Sequence, residues 1–158
     1  MIKKYYLPIL LFLTFLPEPS FADVRITDLI NLNAGTWSGS PDSIEVEDDI
    51  CIFSNSGNYT VTATGSGANN NFRVENGAEF VNYDVNWNDQ VGTTVGQEQL
   101  TKNTPSTTQT TSATSGSNTC NGGSNNTAHI QISFGNGQLR RNLPGTYSGT
   151  LTLLIESI

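Results

Sequence analysis

Apolar and polar side chains alternate along several short stretches of this chain, with the period of two that is typical of β-strands. The clearest stretch is residues 58–64, where Tyr59, Val61 and Ala63 alternate with threonines. Comparable stretches lie at residues 24–32, 44–53, 72–74, 80–88 and 128–134. No window after residue 22 shows sustained helical spacing. The pattern therefore predicts an all-β fold, a β-sandwich of roughly seven short strands.

The last alternating stretch, residues 145–156, follows the turn marker Pro144 and has one strongly apolar face. The side chains on that face are Tyr147, Gly149, Leu151, Leu153 and Ile155. The sequence ends two residues later, so we expect no further strand to pair with this one. An open sheet edge beside a half-covered core predicts completion by a strand from another chain.

The first 22 residues have the three parts of a secretory signal peptide. Lys3 and Lys4 give a basic start, residues 7–16 are apolar, and small residues at Ser20 and Ala22 suit a signal peptidase. The apolar run is too short to span a bilayer. We therefore expect a secreted protein whose mature chain, residues 23–158, is a single domain.

Two cysteines, Cys51 and Cys120, are expected to form a disulfide in an oxidising compartment. The formal net charge is −7 and the chain has no basic stripe, which argues against nucleic-acid binding. Residues 101–119 are a low-complexity Thr/Ser stretch. We expect it to bury nothing and to form a mobile surface loop or a weak edge strand.

Candidate chemistry is sparse in this sequence. His129, the one histidine, is opposite in phase to Ile130 and is expected to face solvent. Glu45, Glu47 and Asp49 share a strand face that is more typical of solvation than of calcium binding. The change of phase at Asp48 and Asp49 predicts a bulge or a bend in this strand. With no catalytic set, we expect no enzyme activity, no metal and no cofactor.

Three places in the chain resemble the spore coat protein U domain, the pilin-type fold of archaic chaperone–usher pili in Gram-negative bacteria. The first is L-N-A-G-T-W at residues 32–37. The second combines I-C-I-F (50–53), N-Y-T-V-T-A-T-G-S-G (58–67) and V-N-Y-D-V-N-W-N-D (81–89). The third is P-G-T-Y-S-G-T-L-T-L-L-I at residues 144–155.

The resemblance implies an immunoglobulin-like sandwich that lacks its final strand. A periplasmic pilus chaperone would lend a strand and anchor the C-terminal carboxylate. At an outer-membrane usher, the N-terminal extension of a neighbouring pilus subunit would then replace it. The residues expected to line the groove for the lent strand, and so to bind the chaperone, are Tyr147, Leu151, Leu153, Ile155 and Ile158.

The sequence departs from a polymerising subunit at its N-terminus, because few residues separate Asp23 from the first predicted strand. Val24, Ile26, Ile30 and Leu32 are expected to serve inside the fold. This favours a tip or initiating subunit, which accepts a strand and donates none, with a role in adhesion to a host or abiotic surface or in biofilm formation. The alternative is a free-standing secreted binding module for glycan or extracellular matrix.

Overall fold

The computed structural model describes residues 23–39, 43–111 and 118–158. The predicted signal peptide lies outside these residues. The described chain is all-β, with a one-turn helix α1 (Asn136–Leu139) and a short 3-10 turn (Ala68–Asn70). The strands are β1 (Val24–Thr27), β2 (Ile44–Ser54), β3 (Asn58–Gly65), β4 (Arg73–Asn76), β5 (Glu79–Asn82), β6 (Asp84–Asn88), β7 (Glu98–Gln99), β8 (Gln109–Thr110), β9 (Ala128–Phe134) and β10 (Leu151–Ser157).

The strands form two facing sheets and a small hairpin, and every pairing is antiparallel. One sheet has the order β1-β2-β9-β6-β7, and the other has the order β10-β3-β8. Strands β4 and β5 form the hairpin. The chain crosses from the first sheet to the second at the turn between β2 and β3. This arrangement confirms the predicted immunoglobulin-like, pilin-type β-sandwich.

The core lies between the inner rows of the two sheets. Trp87 on β6 and Tyr59 on β3 are fully buried, and their rings meet edge to face at a centroid distance of 6.4 Å. The indole N–H of Trp87 donates to the Tyr59 hydroxyl (3.4 Å), so the buried hydroxyl is not left without a partner. The predicted inner row of β3 is confirmed, since Tyr59, Val61 and Ala63 are all 0% exposed.

The predicted disulfide is confirmed. Cys51 on β2 is bonded to Cys120 in the loop before β9, with the Cα atoms 5.7 Å apart. Both cysteines are buried. A disulfide of this kind is typical of proteins outside the cytoplasm. No helix in residues 23–39, 43–111 and 118–158 combines the length and apolar character needed to cross a membrane.

The predicted bulge at Asp48 is wrong. The β2–β9 ladder is uninterrupted from Ile44↔Phe134 to Ile50↔Ala128. Asp48 is in phase with Val46 and Ile50, so it occupies an inward position on a regular strand. The polar residue in this apolar row is therefore a carboxyl group on the inner face of the sheet, and it does not interrupt the strand.

The first strand is shorter than residues 24–32 predicted. It ends at Thr27, because Asp28 adopts a left-handed backbone conformation (φ 64°) that takes the chain out of the ladder. The residues after Asp28 therefore do not continue the phase of β1. Leu32 packs against the core as expected, but Ile30 is 64% exposed.

The described part of the Thr/Ser stretch, residues 101–119, is more buried than expected. It contributes β8, which pairs with β3 as a short edge strand. Ser106, Gln109 and Thr111 are buried, so the expectation that the stretch buries nothing is wrong. Hydrogen bonds account for this burial: the hydroxyl of Ser106 accepts from the Val61 N–H, and the hydroxyl of Thr111 donates to the Ile52 carbonyl.

Removing the disulfide should lower the free energy of unfolding by about 4 kcal/mol, because the crosslink restricts a long loop in the unfolded chain. The cysteines are 69 positions apart. The test is urea unfolding of the Cys51→Ala/Cys120→Ala variant, followed by tryptophan fluorescence. The wild-type chain under reducing conditions is the control and should behave like the variant. An unchanged urea midpoint would contradict the assignment of a stabilising crosslink.

Candidate functional site

On one side of the sandwich, the edge strands of the two sheets have no partner on their outer sides among the described residues. Strand β1 ends the five-stranded sheet and pairs with β2 alone, and β10 ends the other sheet and pairs with β3 alone. The two strands lie close together because β2 and β3 are joined by one tight turn. We call the unpaired sides of β1 (Val24–Thr27) and β10 (Leu151–Ser157) the open edge pair.

The inner-row side chains are less buried on the two strands of the open edge pair than on the neighbouring strands. In one sheet, Val61 and Ala63 are 0% exposed, while their register partners Ile155 and Leu153 on β10 are only half-buried. In the other sheet, Ile52 is 0% exposed and its partner Ile26 on β1 is half-buried. The core is therefore sealed at β2 and β3 and partly uncovered one strand further out.

Three of the residues predicted to line a groove lie on the inner row of β10. Leu151, Leu153 and Ile155 pack against the core and are half-buried, while Thr152, Leu154 and Glu156 between them are exposed. The alternation predicted for residues 151–156 is therefore observed.

The other two predicted residues flank β10. Tyr147 precedes the strand, packs against the core and donates its hydroxyl to the Leu143 carbonyl (2.7 Å). Ile158 follows the strand and is 59% exposed. Its N–H donates to the Asn58 carbonyl (3.2 Å), which holds the last residue against the start of β3. Strand β10 is thus shorter than residues 145–156 predicted, because its regular pairing begins at Leu151.

Val24 and Ile26 were expected inside the fold, but they were not predicted as part of the candidate site. The structure places both on β1, directly across the open edge pair from β10. Their alternation was visible in the sequence, yet the proximity of the first and last strands is a property of the topology. No local pattern reports it.

At one end of the open edge pair, serine hydroxyls connect β10 to the β2–β3 turn. Ser157 Oγ lies 2.8 Å from Ser56 Oγ and 3.4 Å from Ser54 Oγ. Ser54 is fully buried, and its hydroxyl donates to the Asn58 carbonyl. These contacts fix the end of β10 to the β2–β3 turn, so the two edges are anchored together there.

Asp48 places a carboxyl group on the inner row of β2, beyond the point where β1 stops pairing. Burial raises the pKa of this carboxyl above its ordinary value of 3.8, and hydrogen bonds from the backbone N–H groups of Ile30 and Asp49 oppose the rise. Its Oδ2 atom is buried without a hydrogen-bond partner. Ionised Asp48 is therefore a source of instability beside the open edge pair.

His129 does not face solvent as expected, because it is 4% exposed. Its phase was predicted correctly, since it lies on the outer face of β9 opposite to Ile130. That face is covered locally: His129 Nδ1 is hydrogen-bonded to Asp49 Oδ1 (2.7 Å), which also accepts from the Gly92 N–H (3.0 Å). The loop after β6 is thereby tied over the histidine. A central strand can be covered on both faces, which alternation alone cannot show.

The acidic face of β2 is engaged with its neighbours in the sheet. The side-chain amide of Gln131 donates to Glu47 (2.7 Å), and Glu47 also lies 3.8 Å from His129 Nε2. Within the described ranges, no three His, Cys, Asp or Glu side chains are grouped so that they could hold a metal ion. The polar row of this face is a hydrogen-bonded network across β2 and β9.

No family model and no curated protein matches this sequence. Among solved structures, the chain is similar to a chain in a chaperone–tip adhesin complex that is described as vital for synergistic activation of CFA/I fimbriae biogenesis. The TM-score is 0.52 and the sequence identity is 12%. The match covers 85% of this chain and 41% of that chain, so this chain spans well under half of its length. At this identity the likeness shows the fold, a pilin-like β-sandwich.

Replacing Asp48 by Asn should stabilise the protein at pH 7 and leave it unchanged in strong acid. Because the folded-state pKa of Asp48 is raised, its protonated form favours folding below pH 3.8, and this advantage is lost as the pH rises through the folded pKa. The asparagine variant never acquires the charge. We expect its melting temperature at pH 7 to rise by roughly 2 °C, with no difference below pH 3.8.

The matched control is Asp84→Asn, an exposed aspartate on β6. Thermal unfolding of both variants and the wild type between pH 3 and pH 8 measures the effect. A gain for Asp48→Asn that is equal at all pH values would show that charge is not its cause.

Proposed function

We propose that this protein is a secreted fimbrial subunit whose sandwich is completed by a strand from another chain. The observation that carries the proposal is the loss of burial at the open edge pair. An apolar row that is fully buried on β3 is half-exposed on β10, and the backbone beside it lacks a partner strand. An uncovered row and an unpaired edge on one strand are what an added strand would satisfy together.

An inserted strand would extend the sheet of β10. Its backbone would hydrogen-bond to the open side of β10, at about 4.8 Å from it. Alternate side chains would enter the spaces beside Leu151, Leu153 and Ile155 and cover the core. Main-chain hydrogen bonds would supply affinity, and the fit of those side chains would set the register.

The partners proposed for this site are a periplasmic pilus chaperone, an outer-membrane usher and neighbouring pilus subunits. Two observations support them. The motifs at residues 32–37, 50–89 and 144–155 resemble the spore coat protein U domain, and the solved chain of similar fold comes from a chaperone–tip adhesin complex. The buried disulfide fits export to an oxidising compartment, through the periplasm to the cell surface.

We place the subunit at the tip of the pilus, or at the start of its assembly, because β1 is already paired within its own chain. Val24, Arg25, Ile26 and Thr27 pair with β2 of their own chain, so they are not free to act as a donor strand. Such a subunit accepts a strand and occupies an end of the pilus, where adhesion to a surface or biofilm formation is its expected role.

The proposal predicts that the full chain, exported to the periplasm, is recovered in soluble form only with a pilus chaperone. Leu153→Asp should reduce recovery of the one-to-one complex at least tenfold, because it buries a charge in the inner row. The matched control is Leu154→Asp, one position along the same strand and 54% exposed, which should leave recovery unchanged. Gel filtration and the yield of complex measure both.

Two outcomes would contradict the proposal. A stable monomer without chaperone would show that the sandwich is complete in itself, which favours the free-standing binding module. Equal recovery of the two aspartate variants would show that the inner row of β10 is not the contact surface.

A further inference from the structure

A wide-open cavity of about 480 Å³ lies on the surface of the molecule. Its walls come from the residues before β4, the β5–β6 junction and the segment after β7, in which Asn71, Tyr83 and Leu100 are representative. The segment after β7 continues along the β8 side of β3, where the Asn103 N–H donates to the Ala63 carbonyl. Strand β3 therefore separates the cavity from β10, and a strand added at the open edge pair would leave the cavity accessible.

The walls of the cavity are held in place before any ligand arrives. The Tyr83 N–H donates to the Phe72 carbonyl (3.1 Å), and the Leu100 N–H donates to the Val85 carbonyl (2.8 Å). The ring of Phe72 stacks on the buried ring of Tyr83 at 5.9 Å with an interplanar angle of 15°. The apolar part of the lining is thus a rigid aromatic surface, which lowers the ordering cost of binding.

The polar part of the lining is rich in amides. The side-chain amides of Asn82 and Gln99 make no hydrogen bond to any residue in the described part of the chain, and each offers a donor and an acceptor. Lys102 brings an ammonium group, already bonded to the carbonyl of Asn69 (3.1 Å) and the side-chain oxygen of Asn71.

Among the described residues, none that lines the cavity carries a carboxylate, although acidic residues outnumber basic ones by 14 to 7 in the chain. Glu98, beside Gln99, is turned to the other side. Its carboxylate accepts hydrogen bonds from the N–H of Thr107 and the side-chain amide of Gln109. The cavity therefore differs in charge from the rest of the surface.

We propose that this cavity binds one uncharged saccharide unit, with its hydroxyl groups on the free amides of Asn82 and Gln99 and its C–H face over Phe72. Sugar hydroxyls donate and accept, as these amides do, and the ring presents an apolar face that suits an aromatic surface. The volume is within the range of small-molecule sites. A cationic ligand would meet the Lys102 ammonium without a counter-charge. Two of the three N–H donors of that ammonium already serve the oxygens of Asn69 and Asn71, so the amides supply most of the free hydrogen-bonding groups, and these suit neutral hydroxyls.

The probes are glucose, galactose, mannose and N-acetylglucosamine, with glucuronic acid as the acidic comparison. Saturation-transfer NMR on the full protein, in the free or chaperone-bound form in which it is recovered, measures binding. We expect at least one of the four neutral sugars to bind. The Asn82→Ala/Gln99→Ala variant should weaken that affinity roughly tenfold, the effect of losing about two hydrogen bonds.

The matched control is Asn125→Ala, an exposed amide in the loop after Cys120, which should bind like the wild type. Binding of none of the neutral sugars, binding of glucuronic acid alone, or equal affinity in the double variant would each overturn the proposal. Because the cavity and β10 lie on opposite sides of β3, these outcomes are independent of whether a strand completes the sandwich. Unchanged thermal unfolding of the double variant shows that a loss of binding is not a loss of fold.

Discussion

Backbone hydrogen-bonding groups along the outer side of β10 have no partner strand in the described chain, and the apolar row they border is half-covered. Each such group is strongly polar, and an apolar row open to water forfeits part of the free energy of burial. The same two deficits recur on β1. An additional strand along β10 would pair these groups and cover the row, and the proposed assembly role rests on this requirement.

Contacts elsewhere in the sandwich hold the strands beside the open edge pair in place. The chain passes from sheet to sheet at the β2–β3 turn, and Ser54, Ser56 and Ser157 tie the end of β10 to that turn. The disulfide joins β2 to the loop before β9, so it braces the sheet whose edge strand, β1, is only four residues long. Trp87 and Tyr59 are fully buried on β6 and β3, two strands that have a neighbour on both sides. The core is therefore sealed on these inner strands and partly uncovered on the edge strands β1 and β10.

Much of this fold could be predicted from alternation, because an inner row such as Tyr59, Val61 and Ala63 is set by the pleat of a single strand. The apolar inner row of β10 could be predicted for the same reason. What alternation missed depends on neighbours that are distant in sequence. His129 has the predicted phase but is covered by a loop tied to Asp49, and β1 stands beside β10 only because of the topology.

Asp48 shows how the phase of a single strand and contacts with residues distant in sequence act together. Its inward phase was readable from Val46 and Ile50, yet a charged residue in an apolar row suggested a bulge, and the ladder proved regular. The carboxyl is tolerated because β1 has already left β2 at this level, and the N–H of Ile30 approaches it from the departing chain. The early end of β1 at Asp28 thus brings the backbone of Ile30 to the carboxyl group, so the polar inner residue at Asp48 receives a hydrogen bond that a continued strand pairing would have used elsewhere.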